Sequence, residues 1–117
     1  SFALAPKILE AEQWAASTTV PVWEVHPEVS FAVMLGHPAR HPKLTWSGLH
    51  ERLEALHGAG IVIGDIGAAG AMAGADDVLD AAVAAWSAAR LCRGDGISLP
   101  DPPETAPDTP RPIAIWA

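Results

Sequence analysis

Apolar positions recur along this chain at helical spacing in four places and at strand spacing in one or two. From Phe2 to about Ala16, Leu4, Ile8, Ala11 and Ala15 share one face. Pro6 fits that helix only in its first turn. Ser17-Thr18-Thr19 interrupts the pattern, and Val20 to His26 then reads as a strand. Alternation puts Val20, Val22, Glu24 and His26 on one side and Pro21, Trp23 and Val25 on the other. Both sides are largely apolar, as in a strand covered on two faces, with Pro21 at its start or on an edge. Pro27-Glu28 opens a short helix: proline is favoured at the first helical position, and an acid in the first turn suits the dipole. Val29, Ala32, Val33 and Met34 or Leu35 form its apolar side, and Gly36 is its stop.

His37 to Leu44 carries two prolines and reads as a loop, the most basic stretch of the chain. Thr45 or Ser47 can cap a helix that runs to about His57, with Leu49, Leu53 and Leu56 as its stripe and Gly58 as terminator. Ile61-Val62-Ile63 is a very short apolar run. Gly64 to Gly74 lacks periodicity and reads as a loop. A long helix follows from Asp77 to about Arg93, with Asp76 as N-cap and Gly94 as its end. Asp95 to Pro112, rich in proline, reads as an extended surface connection before a final short strand, Ile113 to Trp116.

The long helix poses the chemical question. Asp77 and Asp80 lie three residues apart, a spacing that makes side chains neighbours on one helical surface. Two carboxylates that close repel unless a cation lies between them or one keeps its proton. At about 100° per residue, Leu79, Ala82, Val83 and Trp86 form the core face. Asp77 then points nearly opposite Trp86, where a first-turn acid is explained by the helix dipole alone. Asp80 borders the core stripe near Val83. The Asp side continues through Ala81, Ala84, Ser87 and Ala88 rather than through solvated charges. Those small residues allow another backbone or a substrate to come close. Glu24 is the second acid of interest. Its strand is largely apolar on both faces, where an unpaired carboxylate is costly, so a metal, Arg or Lys is expected beside it. On the same strand face, His26 reads as the residue that caps the next helix.

Length and charge narrow the classes. The 117 residues suit one domain, and 50% hydrophobic residues argue against global disorder. The formal charge is -7, from 14 acidic and 7 basic residues. Such a surface does not attract phosphate by itself but accords with a carboxylate-metal site. The single cysteine, Cys92, excludes an intrachain disulfide and a cysteine-rich zinc site, which suits a reducing, cytoplasmic setting; a structural or surface thiol is its default reading. No apolar run is long enough for a membrane helix, so no membrane partner is expected. His37, His41, His50 and His57 match no zinc spacing and read as solvated. Gly64 to Gly74 has neither the Gly-Lys-Ser/Thr of a phosphate loop nor a dinucleotide fingerprint. The chain opens on Ser1 and enters helix almost at once, so it reads as a fragment or a processed chain.

Val22-Trp23-Glu24-Val25-His26-Pro27-Glu28-Val29-Ser30-Phe31 resembles the E-x-H-P-E-x-S-F segment of a bacterial family of predicted RNase H-like nucleases, long a domain of unknown function. Phe2 to Ile8 resembles the segment before it, Asp76-Asp77-Val78-Leu79-Asp80-Ala81 its D-D-x-L-D-A helix, and Leu99 to Glu104 with Ile115 to Ala117 its tail. The likeness covers nearly the whole chain, in the family's order.

The resemblance implies an α/β, ribonuclease-H-like fold: a few-stranded mixed sheet flanked by helices, with carboxylates at strand ends. By analogy with the Holliday-junction resolvase branch, Glu24, Asp77 and Asp80 are the catalytic and metal-binding acids. His26, Glu28 and Asp76 are accessory candidates. Two Mg²⁺ or Mn²⁺ ions would activate a water and stabilise the leaving oxygen of a phosphodiester. The early strand and hairpin of such a domain have no counterpart here. Residues 1–117 are therefore expected to form a single unit, the C-terminal portion of the domain, holding part of the metal site. The expected partners are structured DNA or RNA, together with the missing N-terminal half or a second copy that would cover the open sheet edge. The competing expectation is a non-catalytic binding or self-assembly module on the same scaffold, with solubilising acids.

Overall fold

The computed structural model describes residues 3–117. Among them, five helices and one two-stranded antiparallel sheet follow in the order α1 (Ala5–Ser17), α2 (Pro27–Leu35), α3 (Trp46–Gly58), α4 (Ala68–Met72), α5 (Ala75–Arg93), β1 (Ser98–Glu104) and β2 (Ile113–Trp116). The chain is thus mixed α/β. Its core lies where α2, α3 and α5 meet, and Phe31, Leu56, Leu79 and Val83 are buried there. Met34, Leu49, Leu53, Ile61, Ile63, Ala82 and Trp86 pack around them. The three leucines expected as the stripe of α3 all take part, as do the four residues assigned to the core face of α5. Each large aliphatic side chain fully withdrawn from water contributes about 1.5–3 kcal/mol, so these helices carry most of the fold's apolar stabilisation.

The ends of these helices follow from local chemistry. Pro27 and Glu28 begin α2, and Gly36 ends it with φ 78°, a left-handed conformation that costs glycine little. Thr45 caps α3, its hydroxyl oxygen accepting from the Gly48 N–H at 3.0 Å. The cap of α5 differs from expectation. Gly74 holds that place without a side-chain bond, and Asp76 lies within the first turn. Asp76 is drawn instead to Lys43, whose ammonium lies 3.7 Å from its carboxylate. Gly64 to Gly74 also departs from a plain loop: the Asp65 carboxylate accepts the Gly67 N–H at 2.7 Å, a local turn after which α4 makes little more than one turn.

The β structure is the larger correction. Val20 to His26 is not a full strand. It joins the sheet through a single parallel bridge, Val25 to Trp116, where the Trp116 N–H donates to the Glu24 carbonyl at 2.8 Å. β2 has only four residues and runs beside β1, so little of it is left to pair with this segment. Pro21 brings no N–H, and the Arg111 guanidinium takes the Val22 carbonyl in place of a neighbouring strand. Val20 is correspondingly exposed.

Conversely, the proline-rich connection contains β1. Pro100, Pro102 and Pro103 donate no N–H, and prolines in sheets are confined to edges and bulges. β1 is such an edge: it pairs Ser98 with Trp116, Leu99 with Ile115 and Glu104 with Ile113, with an irregularity between Leu99 and Glu104. Ile97 and Ala117 exchange N–H···O bonds at 2.7 and 3.0 Å beyond its end.

α1 stands apart. Pro6 lies in its first turn, as expected, but the helix begins at Ala5 and buries none of its residues; Phe2 lies outside the described residues. Leu4, Ile8, Leu9 and Trp14 remain more than half exposed.

Candidate metal centre at the start of α5

A loop from His37 to Leu44 is fastened to α3 at several points. The Glu51 carboxylate accepts the N–H of Arg40 at 2.7 and 3.1 Å and that of His41 at 3.0 Å. Those donors, first among them the Arg40 N–H, hold the Glu51 carboxyl below its ordinary value. Arg52, the next residue of the helix, is buried. Its guanidinium donates to the His41 carbonyl and the Gly48 carbonyl, both at 2.9 Å. Its other nitrogens grip both oxygens of Glu28 on α2, at 3.1 and 2.7 Å. The guanidinium also lies 5.7 Å from the centre of the Phe31 ring. Arg52 thereby ties α2, α3 and the loop together, and the fork geometry explains why arginine suits the position.

Gly48 allows the loop its close approach. A Cβ there would lie 1.8 Å from the Pro42 carbonyl oxygen. That oxygen also accepts the N–H and hydroxyl of Thr45, at 3.0 and 2.7 Å. A glycine inside a helix costs about 0.5–1 kcal/mol relative to alanine, and here it makes room for the loop.

So held, the loop delivers Lys43 to the first two turns of α5. Its ammonium donates to Asp80 Oδ2 at 3.0 Å and lies 3.7 Å from Asp76 Oδ2. Asp76 and Asp80 are i,i+4 neighbours on one helical surface. The cation that two close acids require is therefore Lys43, and the acids that share it are Asp76 and Asp80 rather than Asp77 and Asp80. The hydrogen bond to Asp80 raises the lysine pKa; burial opposes it, and the charges of Asp80, Asp76 and Glu28 add to the rise. Asp80 keeps a second feature: its Oδ1 is buried with no hydrogen-bond partner among the described residues. A buried carboxylate oxygen without a partner calls for an explanation in an ion or a water.

The other sequence candidates lie apart from this pair or are already engaged. Asp77, in the same first turn, is exposed. Glu24 is exposed on the segment that touches β2, and His26 is the exposed N-cap of α2 without a side-chain cap bond. Glu28 is bound by Arg52. Among the described residues, no three His, Cys, Asp or Glu side chains gather into a set able to hold one ion. The small residues beyond Asp80 have a structural cause in part: Ser87 is buried where α2 comes close, and its hydroxyl donates to that of Ser30, also buried, at 2.8 Å. Elsewhere an open apolar recess of about 510 Å³ lies among α3, α4 and α5, with Leu53, Ile63, Ile66 and Val78 in its walls. Cys92 is an exposed free thiol.

The sequence marks Lys43 only as part of a basic loop, Arg40 to Lys43, that could touch phosphate, and it singles out neither Arg52 nor Glu51. Arg52 carried a legible signal: it falls between Leu49 and Leu56 on the apolar face of its helix, where a charge requires a partner. The pairing of Lys43 with Asp80 carried no such signal, because nothing in the spacing from residue 43 to residue 80 brings the two together.

The molecule is thus a small mixed α/β chain with a lysine-bridged pair of aspartates at the start of its longest helix. Comparison with known families places it more closely. The chain belongs to the family described as Protein of unknown function (DUF429), whose model matches residues 1–105. No curated protein and no solved structure matches it. No helix among the described residues is long and apolar enough to cross a membrane.

Proposed function

We propose that this chain carries part of the centre of a divalent-metal-dependent phosphodiesterase of ribonuclease-H-like type, acting on DNA or RNA. The observation that carries the reading is the cation cradle on α5. Asp76 and Asp80 already share one cation, and Asp80 Oδ1 has a lone-pair direction that no described residue meets. All-oxygen donors suit Mg²⁺ or Mn²⁺. The residues fit such an ion in part: Asp80 and Asp76 would hold it, Asp77 in the same turn would add a carboxylate, and Lys43 would give up its place. Further ligands, Glu24 included, would have to come from a rearranged or additional segment or from a second copy. When bound, divalent ions supply an activated water and charge stabilisation at the leaving oxygen. Lys43 would keep a positive charge beside the same carboxylates. The test is cleavage of DNA and RNA with and without Mn²⁺. Cutting that needs the metal and disappears in Asp80→Asn, with the circular dichroism spectrum retained, is expected; cutting that survives Asp80→Asn excludes the assignment.

A second reading, a self-associating module, has an observation of its own. α1 buries nothing and presents Leu4, Ile8, Leu9 and Trp14 to solvent. Patches of this kind mark association surfaces. It predicts a dimer in sedimentation experiments that Ile8→Glu converts to monomer; a monomer at all concentrations removes it.

A further inference from the structure

We infer that the recess between the loop 37–45 and the first turns of α3 binds single-stranded nucleic acid, with a base stacked on Trp46 and a phosphate paired with Arg40. This deepens the phosphodiesterase reading, and rests on it for the choice of a polynucleotide among phosphate-bearing aromatic ligands. The recess has a volume of about 320 Å³ and is lined by Arg40, His41, Trp46, Ser47, His50 and Glu51.

Three observations converge there. Trp46 is 76% exposed, at the entry to a helix whose other large apolar residues face the core. The His50 ring one turn on lies against it, with centroids 6.4 Å apart and planes 27° from parallel, which leaves one indole face for a further ring. Arg40 differs from the other arginines. Arg52, Arg90, Arg93 and Arg111 each donate to a carboxylate or a carbonyl, whereas the Arg40 guanidinium makes no hydrogen bond or ion pair among the described residues. The charge around it is also out of keeping with the chain. The protein carries -7 overall, yet from Val29 to His50 there is no Asp or Glu, while His37, Arg40, His41, Lys43 and His50 fall in that stretch. The one acid in the recess, Glu51, is occupied by the backbone N–H groups of Arg40 and His41.

Those same bonds, with Arg52 on the His41 carbonyl, fix the loop before any ligand arrives, so less ordering cost attends binding. An aromatic face beside an unpaired guanidinium is the pairing that base stacking and phosphate contact require. An acidic peptide would meet the cation and leave the indole uncovered. The loop also joins this recess to the carboxylates, since Lys43, three residues past Arg40, reaches Asp80.

The experiment is fluorescence anisotropy of labelled oligothymidylate and oligouridylate with the full chain, in EDTA and across a salt series. A dissociation constant of about 10⁻⁴–10⁻⁶ M at physiological salt is expected, tightening as salt is lowered. Trp46→Ala should weaken binding roughly 5- to 150-fold, the worth of one stacked base. Trp14→Ala, which removes an exposed indole on α1, should change nothing. Arg40→Ala should flatten the slope of log K against log salt by about 0.7, one phosphate contact on a single strand. Absence of binding, equal losses in the two tryptophan variants, or an unchanged slope in Arg40→Ala overturns the assignment. So does competition by polyglutamate or thymidine monophosphate as effective as that by the oligonucleotide. Because EDTA is present throughout, a chain that binds strands but never cuts them separates this inference from the phosphodiesterase reading.

Discussion

Arg52→Met would remove the tie between α2, α3 and the basic loop while keeping most of the buried stem. Four hydrogen bonds disappear: two to the Glu28 carboxylate and one each to the carbonyls of His41 and Gly48. Hydrogen bonds to charged groups contribute about 1.5–3 kcal/mol each when buried. Breaking a buried ion pair by removing one partner costs about 3–5 kcal/mol. Arg52 is 4% exposed at its side chain but Glu28 is 34% exposed, so water can rehydrate the abandoned carboxylate. That lowers the expected loss to about 2–4 kcal/mol, read as a drop in the urea midpoint at neutral pH with an unchanged slope. A double-mutant cycle with Glu28→Gln should return a coupling of at least about 1 kcal/mol. The loop supplies an independent readout, because Arg40 and Lys43 are trypsin sites on a segment that Arg52 fastens. Wild-type protein should resist cleavage after both residues, and Arg52→Met should be cut there first. A loss under about 0.5 kcal/mol, the range of ordinary surface substitutions, with an unaltered tryptic pattern would refute the role given to Arg52.

Gly48→Ala places a methyl against the Pro42 carbonyl, so the loop must move; a loss of about 1–3 kcal/mol is expected, the range for overpacking, against the gain that alanine brings to an exposed helix. Thermal unfolding checks it, and stabilisation would contradict the close approach. Glu51 has a carboxyl lowered by the Arg40 and His41 N–H groups, so the stability it adds is present above the ordinary glutamate value of about 4.3 and is lost as pH falls through its lower folded value. Glu51→Gln should remove that part of the acid limb of a stability-pH curve, and superimposable curves would argue against the contact. Ser87→Ala leaves the buried Ser30 hydroxyl without its partner and should cost about 1–3 kcal/mol, whereas adding Ser30→Ala should cost less than the sum of the two single changes.

The helices were legible because their signals are local. Pro27 and Glu28 at one end of α2 and Gly36 at the other, the Thr45 cap, and the leucine stripe of α3 are each set by a few neighbouring residues. The sheet was not legible, since strand identity depends on what lies alongside. Val20 to His26 has strand composition but finds only Val25 a partner, while Ser98 to Glu104, dense in proline, becomes an edge strand because Ile113 to Trp116 returns beside it. The candidate site was legible in half. Helical spacing singled out Asp80 and its small-residue side, and the structure adds Lys43 as the cation and Asp76 as the second acid. Assigning Asp76 to capping hid that role: the helix starts two residues earlier, at Ala75, and frees the carboxylate to turn toward the loop. The pairing joins residues 37 positions apart, beyond the reach of periodicity.

If Asp76 and Asp80 are the proposed metal site, a divalent ion must take the place that Lys43 holds between them. A Mn²⁺ titration followed by backbone amide resonances tests this directly, because paramagnetic broadening falls off steeply with distance from the ion. The prediction is broadening centred on Ala75 to Ala81 and on Lys43, abolished by Asp80→Asn and reached at lower Mn²⁺ in Lys43→Met. Broadening centred elsewhere, or none at millimolar Mn²⁺ in both the wild-type and the Lys43→Met protein, would contradict it and leave the aspartates as a lysine-paired helix terminus.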